Sequence, residues 1–105
     1  MEFQLTANPT PPAAHLIATG DLDIYTVRQV TAAVRRLVDS GCRDLTLDLS
    51  AVSFLDAAAL GALIRAAKLV HDHLGTFTVV AAGRPVRRLC EVTGLTRVFG
   101  LAEAA

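Results

Sequence analysis

No excess of either charge marks this chain: ten lysines and arginines stand against ten acidic residues. A general nucleic-acid binder carries a clear basic surplus to neutralise phosphates, so the balance argues against that class of partner. Apolar residues make up 52% of the sequence, yet no uninterrupted run approaches the roughly 20 residues that a bilayer span requires. The opening Met1-Glu-Phe-Gln-Leu5 has neither the basic n-region nor the apolar h-region of a signal peptide, so a cytoplasmic protein without membrane insertion is expected. Only two cysteines occur, Cys42 and Cys90, with no CxxC spacing to support zinc or thioredoxin-like chemistry. A disulfide between them would be unusual in the cytoplasm. A glycine-rich phosphate loop with lysine is missing, and Gly83-Arg-Pro85 reads as a turn. Ser53 has no histidine at a spacing that suggests a catalytic triad. His71-Asp72-His73 sets its imidazoles two residues apart, on different sides of a helix, which suits a solvated helix end better than a metal pair. The expectation is therefore no enzyme, no cofactor and no metal.

What is present is one domain of 105 residues, long enough to bury roughly 60–70% of the surface of its unfolded chain. Residues 2–7 alternate weakly and suggest an edge strand, and Asn8 to Pro12 reads as a loop because its prolines cannot donate to a ladder. Residues 14–19 form the second strand of that antiparallel hairpin, with a long loop between the two and Gly20 as terminator. A helix then runs to about Ser40 on the stripe Val27, Val30, Val34, Leu37 and Val38, with Gly41 at its C′ position. A third strand spans 44–49. A second helix over about 57–73 buries Leu60, Leu63, Ile64, Ala67 and Val70, shows Arg65, Lys68 and Asp72 to water, and stops at Gly75. A fourth strand covers 76–82. A third helix starts near Pro85 on Val86, Leu89, Cys90 and Val92, and a last short strand falls within 95–101. Parallel crossovers of this length need a helix each, so the fold class is α/β, a mixed sheet covered by helices in the order β-β-α-β-α-β-α-β. Cys90 reads as a small core residue, and Cys42, after a glycine at a helix end, as partly exposed.

Residues 48–61 carry the most information. The apolar run Leu45, Leu47, Leu49 ends in a short polar loop, Asp56 sits where a helix cap belongs, and Ala57 opens an amphipathic helix. Such a helix start presents unpaired N–H groups that favour an anionic group. Asp23 occupies the corresponding cap position before the first helix.

Several segments together resemble the STAS domains of anti-sigma factor antagonists. Gly20-Asp-Leu-Asp23 looks like that family's turn before its first helix, and Asp48-Leu-Ser50-Ala-Val52 like its strand end. Phe54-Leu-Asp56 and Leu60-Gly61 match the two sides of its switch loop, while Arg84-Pro-Val-Arg-Arg-Leu89 and Thr93-Gly-Leu95 resemble the helix and turn near its C-terminus. The resemblance implies a single STAS domain over residues 1–105, a monomer or weak dimer, with a truncated final helix over Leu101 to Ala105. It also implies a partner, an anti-sigma factor with a kinase-like ATPase fold, docked through the loop and helix 53–64. The surface so implied comprises Asp21, Asp23, Ser53, Asp56, Ala57, Ala58 and Leu60. In the family that kinase phosphorylates the first hydroxyl after the switch-loop Asp, and the added −1.5 to −2 charges, roughly, disrupt the contact. Here Ala57 occupies the acceptor position, Ala58 that of its serine neighbour and Ala59 that of the glycine. Two readings follow: an antagonist permanently in the unphosphorylated-like state or a module that has lost this partner, against one whose regulation has moved to Ser53 or Thr26. A STAS subunit of another assembly (a stressosome or a lipid-transport ATPase complex) and a small-ligand-binding module stand as alternatives.

The charge distribution adds one further expectation. Residues 1–56 hold four arginines and seven acidic residues, and residues 57–105 hold six basic and three acidic. The sequence thus has an acidic group, Asp21, Asp23 and Asp56, and a basic one, Arg84, Arg87 and Arg88. This is either surface scatter or a complementary docking face.

Overall fold

The computed structural model describes residues 2–80, 83, 84 and 86–88. Strand β1 (Gln4–Thr10) pairs antiparallel with β2 (Ala13–Leu22); β3 (Asp44–Leu55) and β4 (Thr76–Val80) continue the sheet in parallel, in the order β1-β2-β3-β4. Helix α1 (Val27–Asp39) crosses from β2 to β3 and α2 (Ala57–Asp72) from β3 to β4. A third helix, α3, begins at Arg84, where the Arg87 N–H donates to the Gly83 carbonyl at 3.0 Å. The α/β class and the order β-β-α-β-α-β-α are as expected from the sequence. The final strand, the terminal stub, Leu89, Cys90 and Val92 lie outside the described residues.

One face of the sheet is sealed. Leu16, Leu22, Leu45, Leu47, Leu49, Phe77 and Val79 alternate along β2, β3 and β4 and are buried, as a half-covered strand requires. The stripe Val27, Val30, Val34, Leu37 and Val38 of α1 packs into the same core, as do Leu60, Leu63, Ala67 and Val70 of α2 and Val86 of α3. Ile64 is half-buried at the margin instead of inside it. Ala59, Ala62 and Ala66, absent from the expected stripe, complete the buried side of α2.

Four sequence expectations are corrected. First, β1 does not end before Asn8: Asn8, Pro9 and Thr10 pair with His15, Ala14 and Ala13, so the hairpin loop is short. Pro9 is tolerated because β1 is an edge strand with only one partner in the described sheet, leaving one side of the ladder without demand for donors. Second, Gly20 does not terminate β2. It sits inside the strand at φ +95°, next to shifts in register with β3, and any Cβ there would collide with the Glu2 carbonyl. Third, β3 runs beyond residue 49 to Leu55, because the elongated β2 supplies partners for Ala51, Val52, Phe54 and Leu55. Fourth, Cys42 is fully buried. It is the residue after the left-handed Gly41 in a Schellman ending: Gly41 N–H donates to Val38 O at 3.1 Å and Cys42 N–H to Leu37 O at 2.9 Å. That closure turns the thiol inward.

Helix α2 ends by the same device with a different residue at its centre. Leu74, not a glycine, takes the left-handed conformation at φ 63°, its N–H donating to His71 O while Gly75 N–H donates to Val70 O, both at 2.9 Å. Gly75 is needed for proximity, since a Cβ there would strike the Arg43 carbonyl.

Candidate functional site

The C-terminal ends of β2 and β3 lie side by side, with Leu22 opposite Leu55 and the Asp56 N–H donating to the Leu22 carbonyl at 3.3 Å. The β2–α1 turn and the β3–α2 junction are therefore held together at one end of the sheet.

Asp23 organises the first of these. One carboxylate oxygen accepts from Tyr25 N–H at 2.8 Å and from Thr26 N–H at 2.9 Å. Thr26 answers reciprocally: its hydroxyl accepts from Asp23 N–H at 2.9 Å and donates to the Asp21 carbonyl at 2.9 Å. This has the logic of a capping box one turn before the regular helix, and Val27 N–H donates back to the Asp23 carbonyl at 2.9 Å. The N–H groups of Thr26 and Tyr25, with the Thr26 hydroxyl, hold the Asp23 carboxyl below the usual aspartate range against a smaller opposing effect of desolvation.

Asp56 organises the second. Its carboxylate accepts from Ala59 N–H at 2.7 Å, the N-cap bond expected from the sequence, which stabilises α2 by roughly 1 kcal/mol. Between the two turns, the Ser53 hydroxyl donates to the Asp21 carboxylate at 2.9 Å. Farther back in β3, Asp48 accepts from Ser50 N–H at 2.8 Å, and that bond is the main reason its carboxyl is lowered.

Asp21, Asp23, Ser53 and Asp56 are thus brought together. Ala57 and Ala58 are exposed on the first turn of α2, while Ala59 faces inward. Leu60 does not share that exposure: at 5% accessible it belongs to the core, where it anchors the first turn. Arg84 and Arg88 are exposed at the start of α3 and Arg87 is half-buried. His71, Asp72 and His73 are exposed around the end of α2, and no metal-holding cluster occurs among the described residues.

Sequence reasoning missed the apolar part of this surface. Ile24, Tyr25 and Phe54 are 51%, 75% and 50% exposed, beside the acidic caps. The signal was available: Ile24 and Tyr25 precede the α1 stripe without sharing its spacing, and Phe54 precedes the cap by two residues. Exposed aromatic and aliphatic side chains near carboxylates at one sheet end have the composition of a protein-docking surface.

The comparisons with known proteins agree with this architecture. Residues 6–102 match the family model described as "Mlab, STAS domain". An anti-sigma-B factor antagonist of Staphylococcus aureus is 29% identical over 76 residues, which cover 72% of this chain and 70% of that protein. The crystal structure of an anti-sigma factor antagonist from Mycobacterium paratuberculosis superposes with a TM-score of 0.83 at 26% identity, covering 98% of this chain and 87% of that one. The unphosphorylated form of the anti-sigma factor antagonist SpoIIAA shares the fold at a TM-score of 0.80 and 19% identity, with 99% and 89% coverage. These relatives are named as anti-sigma factor antagonists.

Proposed function

The chain belongs to the STAS domain family as an anti-sigma-factor-antagonist-like member, and from that premise we propose that it sequesters a kinase-type anti-sigma factor without being phosphorylated at the family's acceptor position. Docking runs through the β2–α1 turn and the 53–64 segment, with Asp21, Asp23, Ser53, Asp56, Ala57 and Ala58 forming the polar and small-residue part. Ile24, Tyr25 and Phe54 supply the apolar contact. Leu60 acts from beneath by fixing the first turn of α2.

The observation that carries this reading is the sequence Asp56-Ala57-Ala58-Ala59 at a capped helix start, on the same sheet end as the exposed apolar cluster. The helix start is preserved and no hydroxyl stands at positions 57 to 59. Of the two hydroxyls nearby, that of Thr26 is shared between the Asp21 carbonyl and the Asp23 carboxylate, and that of Ser53 already faces the Asp21 carboxylate. A phosphate on Ser53 would meet that carboxylate at close range, a repulsive placement. Both observations favour a switch surface held in its unmodified state. The test is incubation with ATP and the cognate kinase followed by mass-spectrometric mapping. No phosphate on residues 53–64 or Thr26 is expected. Phosphate on Ser53 or Thr26 would show that regulation has moved, and the constitutive reading would fall.

The matching family model is described by the STAS domain and not by antagonism, which supports one second reading, a STAS subunit of a larger assembly such as a lipid-transport ATPase complex. Capture of a transporter ATPase in place of a kinase-like ATPase would select it.

A further inference from the structure

The side chains that α1 and α2 turn toward each other outside the core leave an open groove of about 800 Å³. Arg28, Thr31 and Arg35 line it from α1 and Gly61, Ala62 and Arg65 from α2, and at one end it reaches Ile24, Ala57 and Ala58 of the sheet-end surface. No acidic residue is among its lining. None of the three guanidinium groups hydrogen bonds or ion pairs with another described residue, an unusual concentration of unspent charge in a chain of zero net charge. The floor is low because α2 places small residues there. A Cβ added at Gly61 would meet only the Arg65 guanidinium, at 3.8 Å.

From this geometry we propose that the α1–α2 groove docks an acidic amphipathic helix of a partner polypeptide, through arginines that the adjoining acidic surface of Asp21, Asp23 and Asp56 does not use. The chemistry specifies the occupant. Arg28 and Arg35 are seven residues, two turns, apart on α1, about 10 Å along its axis. A helix laid alongside with carboxylates at the same seven-residue spacing meets both, and Arg65 faces it from the other wall. Guanidinium groups pair with carboxylates as planar forks, and the alanine–glycine floor lets a helix backbone approach closely while burying its apolar face. The groove and the acidic sheet end thus adjoin as contacts of opposite sign.

The test is a titration of the ¹⁵N-labelled full chain with a synthetic peptide of about 16 residues, long enough to populate helix, made of alanine and leucine with glutamates at seven-residue spacing. Amide shifts centred on Arg28, Thr31, Gly61, Ala62 and Arg65 are expected, with affinity falling as salt rises. The same peptide with lysines for glutamates should not bind. The combined Arg28→Glu, Arg35→Glu and Arg65→Glu variant should weaken binding about tenfold or more through like-charge contact. Gly61→Leu fills the floor where a side chain has room and should abolish docking with the amide spectrum otherwise intact. Asp23→Asn should leave peptide binding unchanged, so this proposal and the one for the sheet end can fail separately. The proposal is overturned if the peptide shifts map elsewhere or are absent, or if charge reversal and Gly61→Leu leave them unaltered. Inorganic phosphate or phosphatidylserine vesicles producing the same shifts in place of the peptide would also overturn it, assigning the arginines to a small anion or a lipid surface.

Discussion

At the candidate surface, Asp23 builds the turn before α1 through its hydrogen bonds, and Ala57 leaves the first turn of α2 without a hydroxyl. Asp23 is held by two backbone N–H groups and the Thr26 hydroxyl, and its carboxyl is lowered accordingly. A carboxyl lowered on folding contributes stability that is present above the unfolded aspartate value, about 3.9, and is lost as pH falls through the lower folded value. Urea unfolding measured over a descending pH series should therefore show a steeper acid loss for the wild type than for Asp23→Asn. Equal slopes would remove Asp23 from the acid response. At Ala57 the expected behaviour is opposite in kind. A carboxylate on the first turn of a helix is favoured by the N-terminal dipole, so Ala57→Asp should change stability by less than about 1 kcal/mol. It should nevertheless weaken docking of an anti-sigma factor by adding charge at an exposed contact. Unchanged affinity in titration calorimetry would place the interface elsewhere.

Elements, as opposed to single side chains, decided where sequence reading succeeded. The α1 stripe was legible because five apolar residues repeat at helical spacing, and all five are buried. The Asp56 cap was legible because an acidic residue directly precedes a helical run. The lengths of β1 and β3 were not, because strand ends are set by the partner strand and not by local composition. Pro9 and Ser50 read as loop residues until β2 runs past them. Cys42 was misjudged for a related reason, since burial follows from how a helix ending closes, not from the residue type before it. The two helix endings can be tested against each other. Gly41 meets the left-handed requirement without strain, whereas Leu74 meets it with a side chain 95% exposed that repays nothing. Leu74→Gly is expected to stabilise the fold by about 0.5–1 kcal/mol, the left-handed penalty less the entropy of an added glycine, readable as a raised Tm. On α2 itself, Leu60→Ala should cost about 2–4 kcal/mol as a core truncation. Its effect on docking should then track the loss of folded protein, unlike that of Ala57→Asp.

At the scale of the whole molecule, the fold gathers the candidate residues at the ends of two adjacent parallel strands, with Asp21, Asp23 and Asp56 near the exposed Ile24, Tyr25 and Phe54. Like charges gathered in this way raise the rate of encounter with a basic partner and are screened over about 8–10 Å at physiological salt. Asp23→Asn should lower the association rate and flatten its salt dependence in stopped flow, with a smaller change in dissociation. An association rate indifferent to both salt and the substitution would reduce the charge asymmetry to surface scatter. The central claim is that this sheet end captures a kinase-like anti-sigma factor while remaining unphosphorylated. Its most direct test is parallel affinity capture from native cytoplasm with wild-type and Ala57→Asp chains, followed by mass-spectrometric identification of bound proteins. The expected result is a histidine-kinase-like ATPase retained by the wild type, with its bait unphosphorylated, and depleted by Ala57→Asp. Equal retention by both chains, or a transporter ATPase as the captured protein, would contradict the account.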